Sequence, residues 1–339
     1  MTSQTCPIGA VIVAFNAHDV IVGCVESLLA QAHGRPKIVV VDNASGDDTV
    51  AVLRKWAASH PQVDFCEFPS GERPGHAEAG DVSLVHSTVN LGFAGGVNLG
   101  LAFLAPMPEI GHFWVLNPDA FADPGATKAI LDCAARVPGY ALMGGRVCYA
   151  DPKNRIQIDG GILNKWTGVS GNINLGRDAD KTPMPKAAEL DFITGANMVA
   201  SRRFYEAVGP MAEDYFLYYE EADWAMRRGA MPLAVAPDFL VYHHAGTAIG
   251  SPTFERIASP FSFWFKYRGR TKFVWRFNPL GLPVTLAYST AKALQLLAKG
   301  ARPQAAALMR GAFGLGPPRA VRDRLSPEAQ KIAFGRALD

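Results

Sequence analysis

The chain has 339 residues, of which 49% are hydrophobic and 19% are charged, and its formal net charge at pH 7 is +2. This composition allows a sizeable core and gives no argument for nucleic-acid binding, which a strongly basic domain would suggest. The five cysteines are odd in number and widely spaced, which argues against a disulfide framework and a cysteine-based zinc site and favours a reducing compartment.

The hydrophobic pattern also predicts where the protein works. The amino terminus lacks the basic-then-apolar signature of a signal peptide, and the chain has no continuous apolar run of about 18 residues or more. We therefore expect a cytoplasmic protein without a spanning helix.

The first part of the chain alternates predicted strands and helices. Continuous apolar runs at residues 8–14 and 37–41 predict strands buried on both faces, and residues 63–68 predict a third strand. Helical spacing at residues 19–32 and 47–59 separates them. Such alternation predicts an α/β fold with a mostly parallel sheet flanked by helices, which binds ligands beyond the carboxyl ends of its strands.

Two further segments change this pattern. Residues 69–81 are rich in Gly, Pro and charge and predict an exposed loop, whereas residues 90–100 form a glycine-rich turn that leads into a helix. Glycines there allow a ligand to approach the backbone closely, and the helix start offers free N–H groups to phosphate. The alternation stops near Gly250. We therefore predict one domain over residues 1–250 and a helical extension over residues 251–339.

Asp42 follows the second predicted strand directly. It is either an ordinary turn residue or a carboxylate that contacts the ribose or base of a nucleoside. An NAD-binding domain would also place an acid near this point, but its Gly-x-Gly-x-x-Gly turn should follow the first strand. Residues 14–18 contain no glycine, which weakens the dehydrogenase interpretation.

A second carboxylate, Asp119, lies where an apolar run ends at Asn117 and Pro118. Proline does not continue a central strand, so the strand stops where the Asp119 side chain projects. A carboxylate oxygen suits Mg²⁺ or Mn²⁺, which take most of their other ligands from substrate phosphate and water. A plain turn is the alternative.

An acidic cluster opens a later helical pattern, with Glu220, Glu221 and Asp223 set among aromatic residues such as Trp224. Acidic residues in a first helical turn interact favourably with the helix dipole and need no further role. Partly buried carboxylates, however, have raised pKa values in the range useful for a general base.

Two adjacent histidines, His243 and His244, end the last predicted strand. Their side chains point to opposite faces of an extended segment, so only one can line a cleft. A histidine nitrogen would favour Mn²⁺ somewhat over Mg²⁺.

Seven motifs in order make the chain resemble the family 2 glycosyltransferases, and within them the bacterial rhamnosyltransferase-like group. They occupy residues 13–16, 40–45, 90–100, 116–119, 193–198, 218–224 and 241–244. The resemblance implies a GT-A fold and an inverting, metal-dependent glycosyltransferase. It departs from the family pattern at Asn117, where the first acid of Asp-x-Asp is expected, and at Gly269, where the tail of the group has Asn.

The resemblance also implies roles for individual residues. Glu221 matches the general base, and Asp119 and His243 match ligands of a divalent metal, Mn²⁺ or Mg²⁺. The remaining expected site residues lie on the donor side (Asn16, Asp42, Asn90, Gly92, Asn117 and Asp119) or on the acceptor side (Gly195, Glu220, Asp223 and Trp224).

The expected donor is a nucleotide sugar, with dTDP-rhamnose first and UDP- or GDP-sugars next. The expected acceptor is a glycan or a polyprenyl-diphosphate-linked glycan in cell-surface polysaccharide synthesis. Two alternatives remain open, a sugar-nucleotide nucleotidyltransferase and an inactive glycan-assembly scaffold.

Residues 261–277 interleave five basic residues with many aromatic residues and contain no acid. One interpretation is a packed helix with a solvated basic face. The other is a peripheral contact with the inner face of the cell membrane, because aromatic rings and cations are both favoured at the headgroup level.

Overall fold

The computed structural model describes residues 6–70, 79–244 and 257–335, and its centre is a twisted, mostly parallel β-sheet. The strands are β1 Ile8–Ala14, β2 Lys37–Asp42, β3 Phe65–Phe68, β4 Val82–His86, β5 His112–Leu116, β6 Ala120–Ala122, β7 Leu142–Tyr149, β8 Ile156–Ile158, β9 Gly161–Leu163, β10 Ser170–Asn172, β11 Asn197–Ser201 and β12 Ala234–His243. The sheet order is β3-β4-β2-β1-β5-β11-β7-β12-β6, with β8 beside β7, while β9 and β10 form a separate pair.

The strand register brings the predicted site residues to one edge. Strands β3, β4, β2, β1 and β5 are parallel, and β11 runs antiparallel between β5 and β7. Ala14 pairs with Asp42, and Ile12 pairs with Leu116, so the carboxyl ends of three neighbouring strands meet. The three predicted strands are confirmed, whereas β4 was not predicted.

Helices cover both faces of the sheet. They are α1 Ile21–Leu29, α2 Thr49–Ala58, α3 Gly92–Leu104, α4 Ala126–Arg136, α5 Arg202–Val208, α6 Glu220–Met226, α7 Pro260–Phe277, α8 Leu282–Ala298, α9 Arg302–Ala312, α10 Arg319–Arg322 and α11 Pro327–Phe334. Successive β1 side chains belong to different cores, with Ile12 packed among α1, α2 and α4 and Val13 packed among α3 and α6. This double coverage explains why the strands are continuous apolar runs.

Glycines let α3 lie close against β1. A Cβ at Gly96 would be 2.5 Å from a methyl carbon of Val13, and one at Gly100 would be 2.4 Å from a methyl carbon of Val11. These two glycines therefore serve helix–strand packing, which corrects our expectation that the glycine-rich segment opens the backbone to a ligand.

Helix α7 packs against the sheet region and against α8 and α9. Phe273 and Val274 belong to the same core as Trp224. Two of its basic side chains are paired with an acid: Lys272 and Arg276 lie 2.9 and 3.0 Å from the Asp214 carboxylate. Helix α7 is thus packed into the fold, as the first interpretation of residues 261–277 expects, and the membrane contact stays a prediction.

Two expectations fall on residues outside the described ranges. The predicted boundary near residue 250 lies within residues 245–256, and most of the predicted loop 69–81 lies within residues 71–78. Throughout the described ranges, each helix is either too short or too polar to cross a membrane.

Candidate active site

A cleft with a cavity volume of about 180 Å³ opens at the carboxyl ends of β1 and β5. Five predicted site residues line it: Asn16, Asn90, Asn117, Asp119 and His243. Aromatic side chains of Phe15, Phe93 and Phe216 form apolar walls, and Phe261, Arg324 and Leu325 add a wall from the carboxyl-terminal helices. The cleft thus combines apolar surfaces with a few converging polar groups, as small-molecule sites do.

Asp119 and His243 meet at one side of this cleft. Asp119 Oδ1 lies 2.9 Å from His243 Nε2, and Asn117 Nδ2 lies 3.1 Å from the same nitrogen. The other ring nitrogen, Nδ1, lies 2.8 Å from Gln157 Oε1 on β8. If the Nδ1–H group of His243 donates this hydrogen bond to Gln157 Oε1, the other nitrogen, Nε2, carries the lone pair of the ring. That lone pair then points toward Asp119.

This donor set fits a divalent cation. A carboxylate oxygen and an imidazole nitrogen converge on one point, and Mn²⁺ or Mg²⁺ completes its shell with substrate phosphate oxygens and water. Across the described residues, no group of three or more His, Cys, Asp or Glu side chains is placed to hold a metal ion.

The two adjacent histidines face opposite ways, as expected. His243 is buried and lines the cleft. The exposed His244 instead packs against Phe121 with the two rings tilted and their centroids 5.8 Å apart, while its backbone N–H donates to the Asp119 carbonyl.

Asp42 lies behind the cleft surface, in a network of charges. Its Oδ1 accepts the backbone N–H of Ser45, and its Oδ2 lies 3.6 Å from Nδ1 of His86. His86 Nε2 in turn lies 2.6 Å from Glu67. Asn16, in a left-handed conformation with φ 52°, accepts the N–H of Gly46, so both predicted residues hold the 45–46 turn.

The start of α3 is already occupied by protein groups. Asn90 Oδ1 accepts the Gly92 N–H, Asn43 Oδ1 accepts the Leu91 N–H, and the Phe216 carbonyl accepts the Phe93 N–H. Gly92 has φ +75°, and a Cβ there would be 2.3 Å from the Phe216 carbonyl oxygen. Gly92 therefore lets the 216 loop pack on α3, which corrects the expected phosphate site at this helix start.

The acidic cluster divides into separate roles. Glu220 is buried and Glu221 half-buried, and within the described chain the Oε2 atom of each has no hydrogen-bond partner. Burial raises the pKa of Glu221, against backbone N–H groups of the helix start and the positive charge of Lys266, which lower it. Burial and the Glu221 charge raise the pKa of Glu220 well above its usual value.

The backbone before this pair is strained. Phe216, Tyr218 and Tyr219 have φ values of 64°, 67° and 77°, which non-glycine residues rarely adopt. Strained residues of this kind cluster at functional sites, where the surrounding packing enforces them.

Three expected acceptor-side residues lie elsewhere. Asp223 is fully buried and pairs with Arg227 and Arg276, and the Trp224 indole N–H donates to the Gly209 carbonyl from within the core. Gly195 is buried beside the Phe93 ring. None of these three lines the cleft.

Sequence reasoning did not identify Gln157, His86 or Arg324. Gln157 is the polar residue between two buried isoleucines of β8, a pattern common to any half-exposed strand. Its function is visible only through the contact with His243.

Comparison with known proteins agrees with this architecture. Residues 10–208, more than half of the chain, match the family model described as Glycosyl transferase family 2. The low-salt glycan biosynthesis hexosyltransferase Agl10 of Haloferax volcanii is 23% identical over 205 residues, which are 60% of this chain and 56% of that protein. The chain thus matches little more than half of this relative's length.

Two solved structures share the fold. GalNAc-T7 with UDP, GalNAc and Mn²⁺ matches with a TM-score of 0.53 and 12% identity over 80% of this chain and 48% of that chain. The mannosyltransferase PcManGT from Pyrobaculum calidifontis, in complex with GDP-Man and Mn²⁺, matches with a TM-score of 0.52 and 16% identity over 92% of this chain and 87% of that chain. The predicted GT-A-like fold, with its carboxyl-terminal helical region, is confirmed, and the chain belongs to glycosyl transferase family 2.

Proposed function

We propose that the protein transfers a hexose from a nucleoside-diphosphate sugar to an acceptor hydroxyl group. The observation that carries the proposal is the convergence of Asp119 and His243 at the cleft of a family 2 chain. Agl10 is named a hexosyltransferase, and the two similar structures contain UDP or GDP-Man together with Mn²⁺.

Donor binding follows from the polarity of the cleft. Asn16 and Asn90 line the part that we assign to the nucleoside, and Asp42 supports it from below through the 45–46 turn. Asp119 and His243 would hold the metal against the diphosphate. When bound, a divalent cation there would offset the negative charge of the diphosphate.

The reaction we infer is a single displacement with inversion. Glu221 accepts the proton of the acceptor hydroxyl group. At the same time the oxygen of that hydroxyl group forms the new bond to the anomeric carbon. The bond between that carbon and the diphosphate oxygen breaks, and the nucleoside diphosphate leaves with the electron pair. The raised pKa of Glu221 makes this carboxylate a better proton acceptor than an exposed glutamate.

The finer assignments are proposals that rest on the sequence motifs. We propose rhamnose from dTDP-rhamnose as the transferred sugar, and a glycan or polyprenyl-diphosphate-linked glycan as the acceptor. A sugar-nucleotide nucleotidyltransferase is the rival enzyme, and it would release pyrophosphate instead of a nucleoside diphosphate.

For location, we propose a peripheral contact with an anionic membrane surface through α8 in place of α7. Leu280, Val284, Leu294 and Leu297 form an exposed apolar face beside the exposed Trp166. Residues 257–322 contain eleven Lys or Arg residues and no Asp or Glu. An apolar helix face in a basic surrounding complements anionic lipid.

A ligand screen tests the proposed function. Thermal unfolding is measured with dTDP, UDP and GDP, with and without Mn²⁺, and then with the corresponding sugar donors. We expect one nucleotide to stabilise the protein in a metal-dependent way, and Asp119→Asn to remove that dependence. Failure of all three nucleotides to bind would contradict the proposal.

Product analysis separates the rivals. Release of nucleoside diphosphate together with a glycosylated acceptor supports the transferase. Formation of pyrophosphate would favour the nucleotidyltransferase, and a bound donor that is never consumed would favour the inactive scaffold.

A further inference from the structure

A second cavity of about 410 Å³ lies between α7, α8 and the start of β10. Four cationic side chains line it: Lys266 and Arg270 from α7, Lys292 from α8 and Lys299 directly after α8. Among its described lining residues there is no aspartate or glutamate. The described lining therefore carries a concentrated positive charge.

Arg270 is built into this cavity. Its side chain is 3% exposed, and its guanidinium carbon lies 4.3 Å from the Tyr267 ring centre and 5.2 Å from that of Tyr288. Its Nε donates to the Tyr219 hydroxyl at 3.1 Å, whereas Nη1 has no hydrogen-bond partner anywhere in the described chain. A buried guanidinium N–H without an acceptor is costly, so the position favours an anionic ligand.

Lys266 also lies in this excess of positive charge. Burial and then the charge of Arg270 lower its pKa to about 8, and the nearby Glu221 opposes this shift. A bound anion would stabilise the charged lysine. The electrostatic influence of Glu221 on Lys266 links this cavity to the carboxylate that we assign as the base.

We propose that this cavity is a subsite for a phosphate or diphosphate group, and that it holds the anionic part of the acceptor. A planar guanidinium binds the oxygens of such a group in pairs, and the lysines supply further charge. The assignment to an acceptor rests on the proposed function, whereas the anion binding does not.

Isothermal titration of the full chain with inorganic pyrophosphate in EDTA tests the subsite. The key variant is Lys292→Gln/Lys299→Gln, whose exposed or half-buried positions on α8 and directly after it tolerate glutamine. Its matched control is Lys55→Gln/Lys128→Gln, which changes the net charge equally on α2 and α4. We expect the key variant to bind at least about tenfold more weakly, because charged hydrogen bonds are lost, and the control to bind like wild type.

Two more variants make the test specific. Arg270→Lys keeps the charge but removes the paired N–H groups, so its affinity should also fall while its circular dichroism stays unchanged. Asp119→Asn should bind normally. Loss of binding in Asp119→Asn with normal binding in the α8 variant would place pyrophosphate in the other cleft and overturn the subsite, as would absence of binding to wild type.

Vesicle-binding measurements show whether the phosphate group belongs to a lipid or to a soluble molecule. Binding to vesicles with phosphatidic acid over phosphatidylcholine, lost in Arg270→Lys, supports a lipid-borne phosphate, and pyrophosphate binding without that preference supports a soluble one. If pyrophosphate binds but no nucleoside diphosphate binds with Mn²⁺, the subsite stands and the proposed function fails.

Discussion

At the scale of single residues, neighbouring acids of one cluster are separated by their partners. Asp223 is neutralised by Arg227 and Arg276, whereas Glu220 and Glu221 keep Oε2 atoms without a partner in the described chain. Asp223 is also fully buried and does not line the cleft, so an acceptor hydroxyl bound there would not reach it. The local geometry therefore favours Glu221 over Asp223 as the base.

Replacing Glu221 with Gln should lower kcat by about 10²-fold or more and leave donor affinity close to wild type, because the amide keeps the shape but accepts no proton. Steady-state kinetics and nucleotide binding check this. Asp223→Asn is the comparison, and we expect it to lower the unfolding temperature instead. An intact kcat in Glu221→Gln would assign the base elsewhere.

The raised pKa of Glu221 has a consequence for pH dependence. Because the base must be ionised, activity is lost as pH falls through the raised pKa, so the acidic limb of kcat should lie above the pKa of about 4.3 of an ordinary glutamate. Lys266→Gln removes a positive charge that lowers the pKa of Glu221, so the acidic limb of the kcat profile should shift to a higher pH. An unmoved limb in that variant would count against the assignment.

Gln157 should act as a positioning residue for His243. Gln157→Leu removes the hydrogen-bond acceptor 2.8 Å from His243 Nδ1. We therefore expect the Mn²⁺ concentration required for half-maximal nucleotide binding to rise by about tenfold or more. His244→Ala is the control and should give a wild-type titration. Equal Mn²⁺ titrations for both variants would show that the His243 ring needs no such support.

At the scale of elements, the sequence predicts strands and helices better than it predicts what their residues contact. Buried strands such as β1 and β2 follow from continuous apolar runs, since each strand is packed on both faces. The glycines of α3 looked like a ligand loop, yet the close partners of Gly96 and Gly100 are valines of β1. Pairs such as His243 with Gln157 join residues 86 positions apart, which no local pattern encodes.

The packing of α3 gives a stability prediction. Gly100→Val places side-chain atoms against Val11, where even a Cβ would be 2.4 Å from a methyl carbon, so we expect a loss of about 1–3 kcal/mol. Denaturant unfolding measures it. The control is Gly23→Ala in α1, where nothing lies within 4 Å of the new Cβ and a gain of about 0.5–1 kcal/mol is expected. Equal midpoints for the two variants would refute tight packing at α3.

At the scale of the whole molecule, the carboxyl-terminal helices present two different surfaces. Helix α7 turns most of its aromatic residues inward but leaves Trp275 exposed, while α8 exposes an apolar face next to the cationic cavity. The expected membrane contact stays a prediction, and its location moves to α8.

Liposome co-sedimentation checks that contact. Wild type should pellet with anionic vesicles at low salt and be released at high salt, because the attraction to anionic lipid is screened. Val284→Glu/Leu294→Glu should abolish pelleting, whereas Val50→Glu/Lys55→Glu on α2 should pellet as wild type does. Equal pelleting with neutral and anionic vesicles would exclude the electrostatic contact.

Phe261, Arg324 and Leu325 from the carboxyl-terminal helices form one wall of the cleft. This arrangement has a consequence for the evolution of related sequences and for the construction of chimeras between them. Helix α7 also shares a core with α6, and its Arg276 pairs with Asp223, so this helix is packed on the part of the chain that holds the site. Grafting the first 250 residues onto the tail of another relative would then disturb nucleotide recognition and foldability together. Substitutions in the first 250 residues and in the carboxyl-terminal helices should therefore occur together in evolution. A chimera should regain function only when the residues that contact each other between these two parts are exchanged together.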